Sequence, residues 1–412
     1  MVIISAYINE FLKELELKRL EEESEYIIEK GIFYLMNKDN KVIKFTVKDS
    51  LINRYEVIDV YNKKLLPVLM RNNLEYLQTW LDNRVIPTNR VHLQRLLESI
   101  NKTDADRFSL LIENHACSLN DTFWIKRESE INPINNMELQ WKDVSLYKGF
   151  KESLGMVTFF GNTSSLGGRL RSPEITGQGA LSKAWRIVDR DIILYKRGTE
   201  IGVNSGNEPY SELIASKIAV LCNINHVRYN LDRWNGILCS TCKLYTTEDI
   251  GYIPMSEYLE SEYSRSTPWT FDKVLKIIPK EFVQEFYDMI VFDYIIENED
   301  RHFNNFGLLV DNNTMDIIGF MPLFDNGFSL LTLQTKDDLE YYDFNISSIG
   351  TFLVSNRTQA TEIIKINKER YKHWSKEIMT NLDYIIDKEV PEYRMRAMLK
   401  LIVTRCNYIN RL

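Results

Sequence analysis

The sequence predicts an α+β protein in which hairpins and long helices are concentrated in different parts of the chain. Short apolar segments joined by turn signals indicate β-hairpins, and the clearest pair is Phe306–Val310 and Ile317–Phe324. Apolar residues at helical spacing over 281–297 predict a long amphipathic helix just before that hairpin. Further helical patterns at about 356–386 and 391–409 predict that the C-terminal part is mainly helical.

Composition predicts a globular protein with more than one packed unit. The 412 residues are 44% hydrophobic and 26% charged, and this length suffices for two or three units. The formal net charge of −7 argues against a general nucleic-acid-binding surface. No apolar run approaches the roughly 20 residues of a membrane span, and the N-terminus lacks the features of a secretion signal. We therefore expect no nucleic-acid partner, no membrane span and a cytoplasmic location.

The number and spacing of the cysteines are typical of a protein in a reducing compartment. There are five of them, scattered along the chain without a disulfide framework. Cys239 and Cys242 form a Cys-x-x-Cys pair, but no second pair and no His at ligand spacing completes a zinc site. We interpret both as buried strand residues, since free cysteine behaves as a small hydrophobe.

The most informative polar residues flank the C-terminal hairpin. Asp300 and Asn305 precede it, and Asp325 follows it at the start of an Asp-Asn-Gly triplet. The hairpin is expected to bring all three side chains to one end. Phosphoryl transfer from a nucleotide needs one carboxylate for the hydroxyl proton, and an amide with a second carboxylate for Mg²⁺. Taken singly, each piece is also compatible with a polar loop and an ordinary turn.

The order and spacing of these residues resemble a family of kinases. Protein kinases place an Asp five residues before an Asn, followed by a later Asp-Phe-Gly. The run Asp300-Arg-His302-Phe-Asn-Asn305, with the later Asp325-Asn-Gly, is similar in particular to HipA-like serine/threonine kinases, which have a His two residues after the Asp. Phosphatidylinositol kinases also carry an Asp-Arg-His-x-x-Asn loop, so a lipid- or small-molecule-kinase alternative stays open.

This resemblance implies a two-lobed protein-kinase-like fold that uses ATP and Mg²⁺. It assigns Asp300 as the catalytic base, His302 as a support of the loop, and Asn305 and Asp325 as the metal ligands. The sequence departs from the pattern at Asn326, which replaces the usual Phe, and in the short connection from Asn to Asp.

A glycine-rich segment upstream predicts the part of the protein that covers the phosphates. Glycines cluster over 161–179, and two apolar segments joined by a turn follow, the second ending near Lys196. Gly177, Gly179 and Lys183 resemble the nucleotide loop of the family, and Lys196 resembles the strand lysine that contacts phosphates. The spacing is not Gly-x4-Gly-Lys-Ser/Thr, which excludes a P-loop NTPase.

A helix beginning near Asn207 is predicted to carry the carboxylate that pairs with Lys196. Asn is a helix-capping residue, and Pro209 is tolerated in a first turn. Glu208 and Glu212 lie one turn apart and share a face, so both are candidates for the nucleotide site. We favour Glu212 because a mid-helix position is typical of kinases; the alternative is that both carboxylates are solvated.

The sequence divides into three predicted parts. Residues 1–150 form an α+β accessory domain, 151–248 the small lobe with the glycine-rich loop, and 249–412 the helical large lobe. Within the first part, the order Asn-Arg-x-x-Pro-x-x-Arg and then Ser-Leu-Asn-Asp-x-x-Trp resembles the lead-in to the kinase core of HipA-like proteins from Gram-positive bacteria. No chemistry is evident in it.

The expected function is ATP-dependent phosphorylation of Ser or Thr in a protein substrate that the sequence does not identify. A regulatory protein partner is left open, although no antitoxin-like segment is visible. The resemblance also implies autophosphorylation of the glycine-rich loop at Thr163, Ser164 or Ser165, after which the phosphate would pair with Arg169 or Arg171. A nucleotide-binding pseudokinase or scaffold is the alternative, against which the complete set of catalytic residues argues.

Overall fold

A computed structural model of the protein describes residues 31–47, 55–104, 107–128, 130, 137–162, 166, 171–200, 206–263 and 267–412. The predicted helix over 1–30 and the candidate phosphorylation sites Thr163, Ser164 and Ser165 lie outside these residues, as does Arg169. No helix in the described ranges is both long and apolar enough to span a membrane.

The chain divides into two compact units that are not contiguous in sequence. The first comprises the described residues of 1–65, 74–118 and 122–180, and the second comprises 66–73, 119–121 and the described residues of 181–412. Residues 151–180, predicted to belong to the small lobe, therefore belong to the first unit. The finer division into three parts stays a prediction.

The first unit contains a four-stranded antiparallel sheet with the order β3-β2-β1-β4. β1 is buried from Phe33 to Asn37, and the rings of Phe33 on β1 and Phe45 on β2 stack with their centroids 5.6 Å apart. The strands are β1 (Ile32–Asn37), β2 (Asn40–Val47), β3 (Tyr55–Val60) and β4 (Phe123–Arg127). The helices are α1 (Leu77–Asp82), α2 (Leu93–Ser99), α3 (Arg107–Glu113), α4 (Trp141–Val144) and α5 (Ser153–Phe160).

The small lobe of the second unit is a four-stranded antiparallel sheet with one long helix. The sheet order is β5-β6-β8-β7, and the two predicted hairpin strands that end near Lys196 are β5 and β6. Its elements are β5 (Lys183–Val188), β6 (Asp191–Arg197), α6 (Glu208–Leu221), β7 (Tyr229–Trp234) and β8 (Ile237–Lys243). Cys239 and Cys242 are buried in β8, as predicted.

The large lobe is mainly helical and contains the predicted C-terminal hairpin. Strands β10 and β11 pair antiparallel, and β9 completes a three-stranded sheet. Helix α9, which precedes the hairpin, is buried over most of its length, including Phe286 and Phe292. The elements are β9 (Ile250–Pro254), α7 (Met255–Glu262), α8 (Phe271–Ile277), α9 (Val283–Ile296), β10 (Gly307–Asp311), β11 (Ile317–Phe320), α10 (Lys336–Tyr341), α11 (Asn356–Ile366), α12 (Lys368–Thr380), α13 (Leu382–Ile385) and α14 (Glu392–Arg411).

The predicted helix over 356–386 is divided into α11, α12 and α13. Asn367 ends α11 and begins α12, and its side-chain oxygen accepts the N–H of Arg370 at 3.4 Å. Asn381 separates α12 from α13. Asparagine side chains compete with the helix for backbone groups, which explains both breaks.

Two short segments from the N-terminal half are built into the second unit. In 66–73, Asn72 donates its amide N–H to the carbonyl of Ser261 at 3.0 Å. In 119–121, the carbonyl of Asn120 accepts the N–H of Tyr252 in β9 at 2.7 Å. These segments satisfy backbone groups of the large lobe that β9 and α7 leave open.

Candidate active site

The centre of the site is an ion-paired lysine near the end of β6. The Nζ atom of Lys196 lies 2.5 Å from Glu212 Oε1 on α6 and 2.5 Å from Asp325 Oδ1 in the Asp-Asn-Gly motif. Burial alone would lower the pKa of Lys196, but the two carboxylates raise it, so the side chain stays charged. Strand β6, helix α6 and the distant Asp-Asn-Gly motif thus meet at one ammonium group.

The same contacts determine the electrostatics of the two carboxyl groups. Although burial opposes it, Lys196 lowers the pKa of Asp325 to about 2. Burial raises the pKa of Glu212, while Lys196 and the N–H of Asn326, which donates to Glu212 Oε2 at 2.8 Å, favour its ionised form. Asp325 is therefore a carboxylate over the whole physiological pH range.

Glu208 has a different role from Glu212, although the two lie on one helix face. Its carboxylate oxygens accept the backbone N–H of Thr199 at 3.1 Å and the Thr199 hydroxyl at 2.6 Å. A Cβ atom added to Gly327 would lie 3.3 Å from Glu208 Cβ, so glycine lets the Asp-Asn-Gly motif approach α6. The predicted capping role of Asn207 is wrong, since its side chain makes no capping bond and its backbone is already helical.

The predicted catalytic loop, residues 300–305, follows shortly after the end of α9. Glu297 adopts a left-handed conformation with φ 50 and terminates the helix. The side chain of Asn298 then donates to Asp293 at 3.1 Å and accepts the N–H of Asp300 at 2.9 Å. Asp300 is exposed, yet its backbone is fixed through Asn298 to a buried carboxylate of α9.

Arg301 is buried and joins the predicted catalytic loop to the predicted metal motif, Asp325-Asn326-Gly327. Its guanidinium bonds to the carboxylate of Asp293, with Nε 3.0 Å from Oδ2 and Nη2 3.0 Å from Oδ1. It also donates to the carbonyl of Asn305 at 2.9 Å, the carbonyl of Phe324 at 2.6 Å and the side-chain oxygen of Asn326 at 2.6 Å. One planar fork of five donors therefore holds both motifs in register.

His302 lies in the tight turn between Asp300, the predicted base, and Asn305, a predicted metal ligand. Its N–H donates to the carbonyl of Asp300 at 2.9 Å, and its carbonyl accepts the N–H of Asn305 at 2.8 Å. Its Nδ1 atom accepts the N–H of Asn304 at 3.2 Å. These contacts are those of a residue that supports the loop.

The groups available for a magnesium ion are the amide of Asn305 and the carboxylate of Asp325. The Nδ2 of Asn305 donates to the carbonyl of Asp300 at 3.0 Å, which orients the amide so that its oxygen is the atom left for a cation. Among the described residues there is no cluster of three or more Asp, Glu, His or Cys side chains for a metal. Such a pair still fits Mg²⁺, which binds few carboxylates and completes its shell with phosphates and water.

The pKa of Asp300, the predicted catalytic base, responds to the charges around it. Partial loss of solvent raises the pKa of Asp300, His302 lowers it, and Asp325 raises it. Lys196 lowers it as well, so the charges of both Asp325 and Lys196 influence the Asp300 carboxylate.

The predicted phosphate-binding residues fall into two groups. Lys183 opens β5 directly opposite Lys196 on β6, and its charge lowers the pKa of Asp325. Gly177 and Gly179 belong to the first unit, where Arg90 donates to the carbonyl of Gly177 at 2.7 Å. Gly179 has a φ of 91, which favours glycine. Their predicted role in nucleotide binding stays a prediction.

Sequence reasoning assigned no role to Arg301 or to Tyr229. The hydroxyl of Tyr229 accepts the N–H of Asp325 at 3.3 Å. Arg301 follows Asp293 by eight residues and forms an ion pair with it. The nearby opposite charges were the sequence signal that could have indicated this pair. Nothing in the local sequence around Tyr229 indicates its contact.

Comparisons with known proteins identify the fold. No family model matches the sequence, and no curated protein matches it. The structure is similar to HipA of Shewanella oneidensis MR-1, solved with HipB and operator DNA, with a TM-score of 0.58 over 92% of this chain and 98% of that chain at 11% identity. The Helicobacter pylori proinflammatory kinase CtkA matches 56% of this chain and 89% of its own at 18% identity, with a TM-score of 0.45. The chain therefore has the HipA-like, two-lobed α+β fold that the sequence resemblance implied.

Proposed function

We propose that this protein is a kinase that transfers the γ-phosphoryl group of ATP to Ser or Thr of a protein substrate. The observation that carries the proposal is the contact of Lys196 with both Glu212 and Asp325 at 2.5 Å. A lysine held by a helix glutamate beside a metal-motif aspartate is the arrangement that active kinases require. It argues against a scaffold, which needs none of these charges.

The lysines of the small lobe supply the positive charge for the phosphates. Lys183 and Lys196 are directly opposite in the β5–β6 ladder, and like charges in that position destabilise a sheet unless anions face them. Phosphate oxygens can replace Asp325 as the second partner of Lys196, while Glu212 keeps the ammonium in place. Binding of the nucleotide would then release the Asp325 carboxylate for the metal.

Asn305 and Asp325 would hold Mg²⁺, which neutralises charge on the phosphates of bound ATP. Arg301 keeps the two residues in register through the carbonyl of Asn305 and the side chain of Asn326. The low pKa of Asp325 keeps it ionised as a ligand.

Asp300 would act on the acceptor hydroxyl. Its carboxylate takes or orients the proton as the hydroxyl oxygen forms a bond to the γ-phosphorus. The bond from the γ-phosphorus to the β–γ bridging oxygen breaks, and ADP leaves with that oxygen. The raised pKa of Asp300 improves it as a proton acceptor near neutral pH.

We also propose that the glycine-rich loop is phosphorylated and that a regulatory protein can bind. Thr163, Ser164 and Ser165 are the hydroxyl residues of the glycine-rich run 161–168. A phosphate there would add about −1.5 to −2 charge and be repelled by nucleotide phosphates. A regulatory protein partner is compatible with the complex of the Shewanella protein with HipB.

The decisive experiment uses purified protein and ATP labelled on the γ-phosphate. The protein is incubated with Mg²⁺ alone, with cell lysate, and with vesicles that contain phosphatidylinositol, and phosphosites are mapped by mass spectrometry. Labelled Ser or Thr in a protein supports the proposal, provided Asp300→Ala abolishes it and Asp316→Ala, an exposed substitution in the hairpin turn, does not. Label confined to lipid would indicate the lipid-kinase alternative, and ATP binding without transfer would indicate a pseudokinase.

A further inference from the structure

A short parallel pairing leads directly into the metal motif. Leu323 donates its N–H to the carbonyl of Asn225 at 2.9 Å, and its carbonyl accepts the N–H of Val227 at 2.9 Å. These two bonds are the parallel bridge between His226 and Leu323. A regular parallel ladder would next direct the N–H of Asp325 to the carbonyl of Val227.

The parallel pairing does not continue to Asp325, and hydrogen bonds to side chains replace those of the ladder. Asp325 adopts a left-handed conformation with φ 57, and its N–H donates to the hydroxyl of Tyr229 at 3.3 Å. The N–H of Tyr229 in turn donates to the hydroxyl of Ser216 on α6 at 3.2 Å. Because a left-handed conformation is unfavourable for a residue with a Cβ atom, it needs support from its surroundings.

Tyr229 makes further contacts within the candidate site. The side chain is buried, and the Nζ of Lys196 lies 5.8 Å from its ring centroid. Burial raises the pKa of Tyr229, so the phenol stays protonated and its oxygen remains available to the Asp325 N–H.

We propose that Tyr229 is a positioning residue, whose hydroxyl holds the Asp325 backbone in the left-handed conformation that aims its carboxylate at the metal. The inference rests on the proposed function, since it concerns the ion that Asp325 would bind. Without the hydroxyl, the Asp325 N–H loses its partner, and the segment is free to extend the ladder toward Val227. The carboxylate would then turn away from Lys196, which it contacts at 2.5 Å, and from the Mg²⁺ site proposed beside it.

Tyr229→Phe tests this because it removes one oxygen and keeps the buried ring. Binding of a non-hydrolysable ATP analogue to the full chain is measured by calorimetry while MgCl₂ is varied. We expect the Mg²⁺ concentration for half-maximal enhancement of binding to rise by about 5- to 100-fold, the factor for one buried donor left unpaired. Affinity for the analogue without Mg²⁺ should stay within a few-fold of wild type.

The matched control is Tyr195→Phe on the same sheet. Tyr195 is adjacent to Lys196 in β6, so its side chain points to the opposite face, where its ring packs on Trp234 at 5.4 Å. This variant should keep the wild-type Mg²⁺ dependence. Equal Mg²⁺ shifts in the two variants would indicate a general loss of stability and overturn the inference.

A second variant covers the case in which Tyr229→Phe does not fold. Ser216→Ala leaves Tyr229 intact but removes the acceptor of its backbone N–H, and the Mg²⁺ requirement should rise in the same direction. Wild-type protein that lacks Mg²⁺-dependent analogue binding would contradict the proposed function. The role of Tyr229 alone would be contradicted if wild type binds normally and Tyr229→Phe has unchanged Mg²⁺ dependence. Where Tyr229→Phe does not fold, unchanged Mg²⁺ dependence in Ser216→Ala would contradict it.

Discussion

The guanidinium Nη2 of Arg301 donates a hydrogen bond of 2.6 Å to the side-chain oxygen of Asn326. This contact lies at the position where the sequence departs from the Asp-Phe-Gly motif of protein kinases. Asn326 supplies an acceptor to Arg301, and its N–H bonds to Glu212 at 2.8 Å. The metal motif is therefore held by charge-assisted hydrogen bonds, which are directional and strong when buried.

Replacement of Arg301 by lysine should loosen both motifs. Lysine keeps the charge but has no planar fork, so it cannot serve Asp293, Asn326 and two carbonyl groups together. Loss of at least two charge-assisted bonds at about 1.5–3 kcal/mol each lowers the free energy of unfolding by about 3–6 kcal/mol. Denaturant unfolding and transfer rate are the measurements, with exposed Arg396→Lys on α14 as the control. A variant as stable and active as wild type would refute the role assigned to Arg301.

Asp325→Asn should abolish transfer and leave the fold intact. The metal supplies several kcal/mol of transition-state stabilisation, which corresponds to a loss of about 10²–10⁴-fold in rate. Because the pKa of Asp325 is about 2, the wild-type residue is ionised across the assay range, and the defect should not depend on pH. Rates from pH 6 to 9 check this, with exposed Asp316→Asn as the control. Unchanged ATP turnover would rule out Asp325 as a metal ligand.

Asp300→Ala should retain nucleotide affinity within a few-fold but lower transfer. A general base contributes about 10²–10⁴-fold to a rate. Calorimetry with a non-hydrolysable analogue and single-turnover transfer separate binding from chemistry. Transfer near the wild-type rate would exclude Asp300 as the base. The outcome distinguishes an enzyme from a scaffold, but not a protein kinase from a lipid kinase.

Glu212→Gln should lower mainly the transfer rate, whereas Glu208→Gln should lower mainly the melting temperature. Gln at 212 removes the charged partner of Lys196, so transfer should fall by roughly 10- to 100-fold, the equivalent of one hydrogen bond between charged groups. Gln at 208 keeps an acceptor for Thr199, leaves Lys196 paired and should lower the melting temperature more than the rate. Transfer rates and thermal unfolding of both variants check this. A larger loss of transfer in Glu208→Gln would reverse the assignment.

His302→Gln should move the acidic limb of kcat/KM to higher pH. Asp300 must be ionised to accept a proton, so this limb reports its pKa. Loss of solvent raises that pKa and the nearby imidazole of His302 lowers it, so removal of the imidazole leaves it higher. The pH–rate profile of the variant is compared with that of His373→Gln, an exposed histidine on α12. A limb that stays in place or moves to lower pH would contradict this direction.

The sequence determined much of the site because its chemistry is local. Asp300, His302 and Asn305 lie within one tight turn, and the predicted hairpin carries the chain to Asp325, as the structure confirms. Turn residues and apolar alternation depend on near neighbours and can be read from a single sequence. The β5–β6 hairpin with Lys196 was predictable for the same reason.

Only the tertiary structure decided which groups meet across long separations. Glu208 and Glu212 share a helix face, so the choice between them depends on where β6 and the Asp-Asn-Gly motif pack against α6. Tyr229 and Asp325 are 96 residues apart, and no local pattern encodes a contact between a β7 hydroxyl and a left-handed backbone N–H. The sequence thus determined the candidate catalytic groups and their order, whereas long-range packing decided which side chains hold them in place.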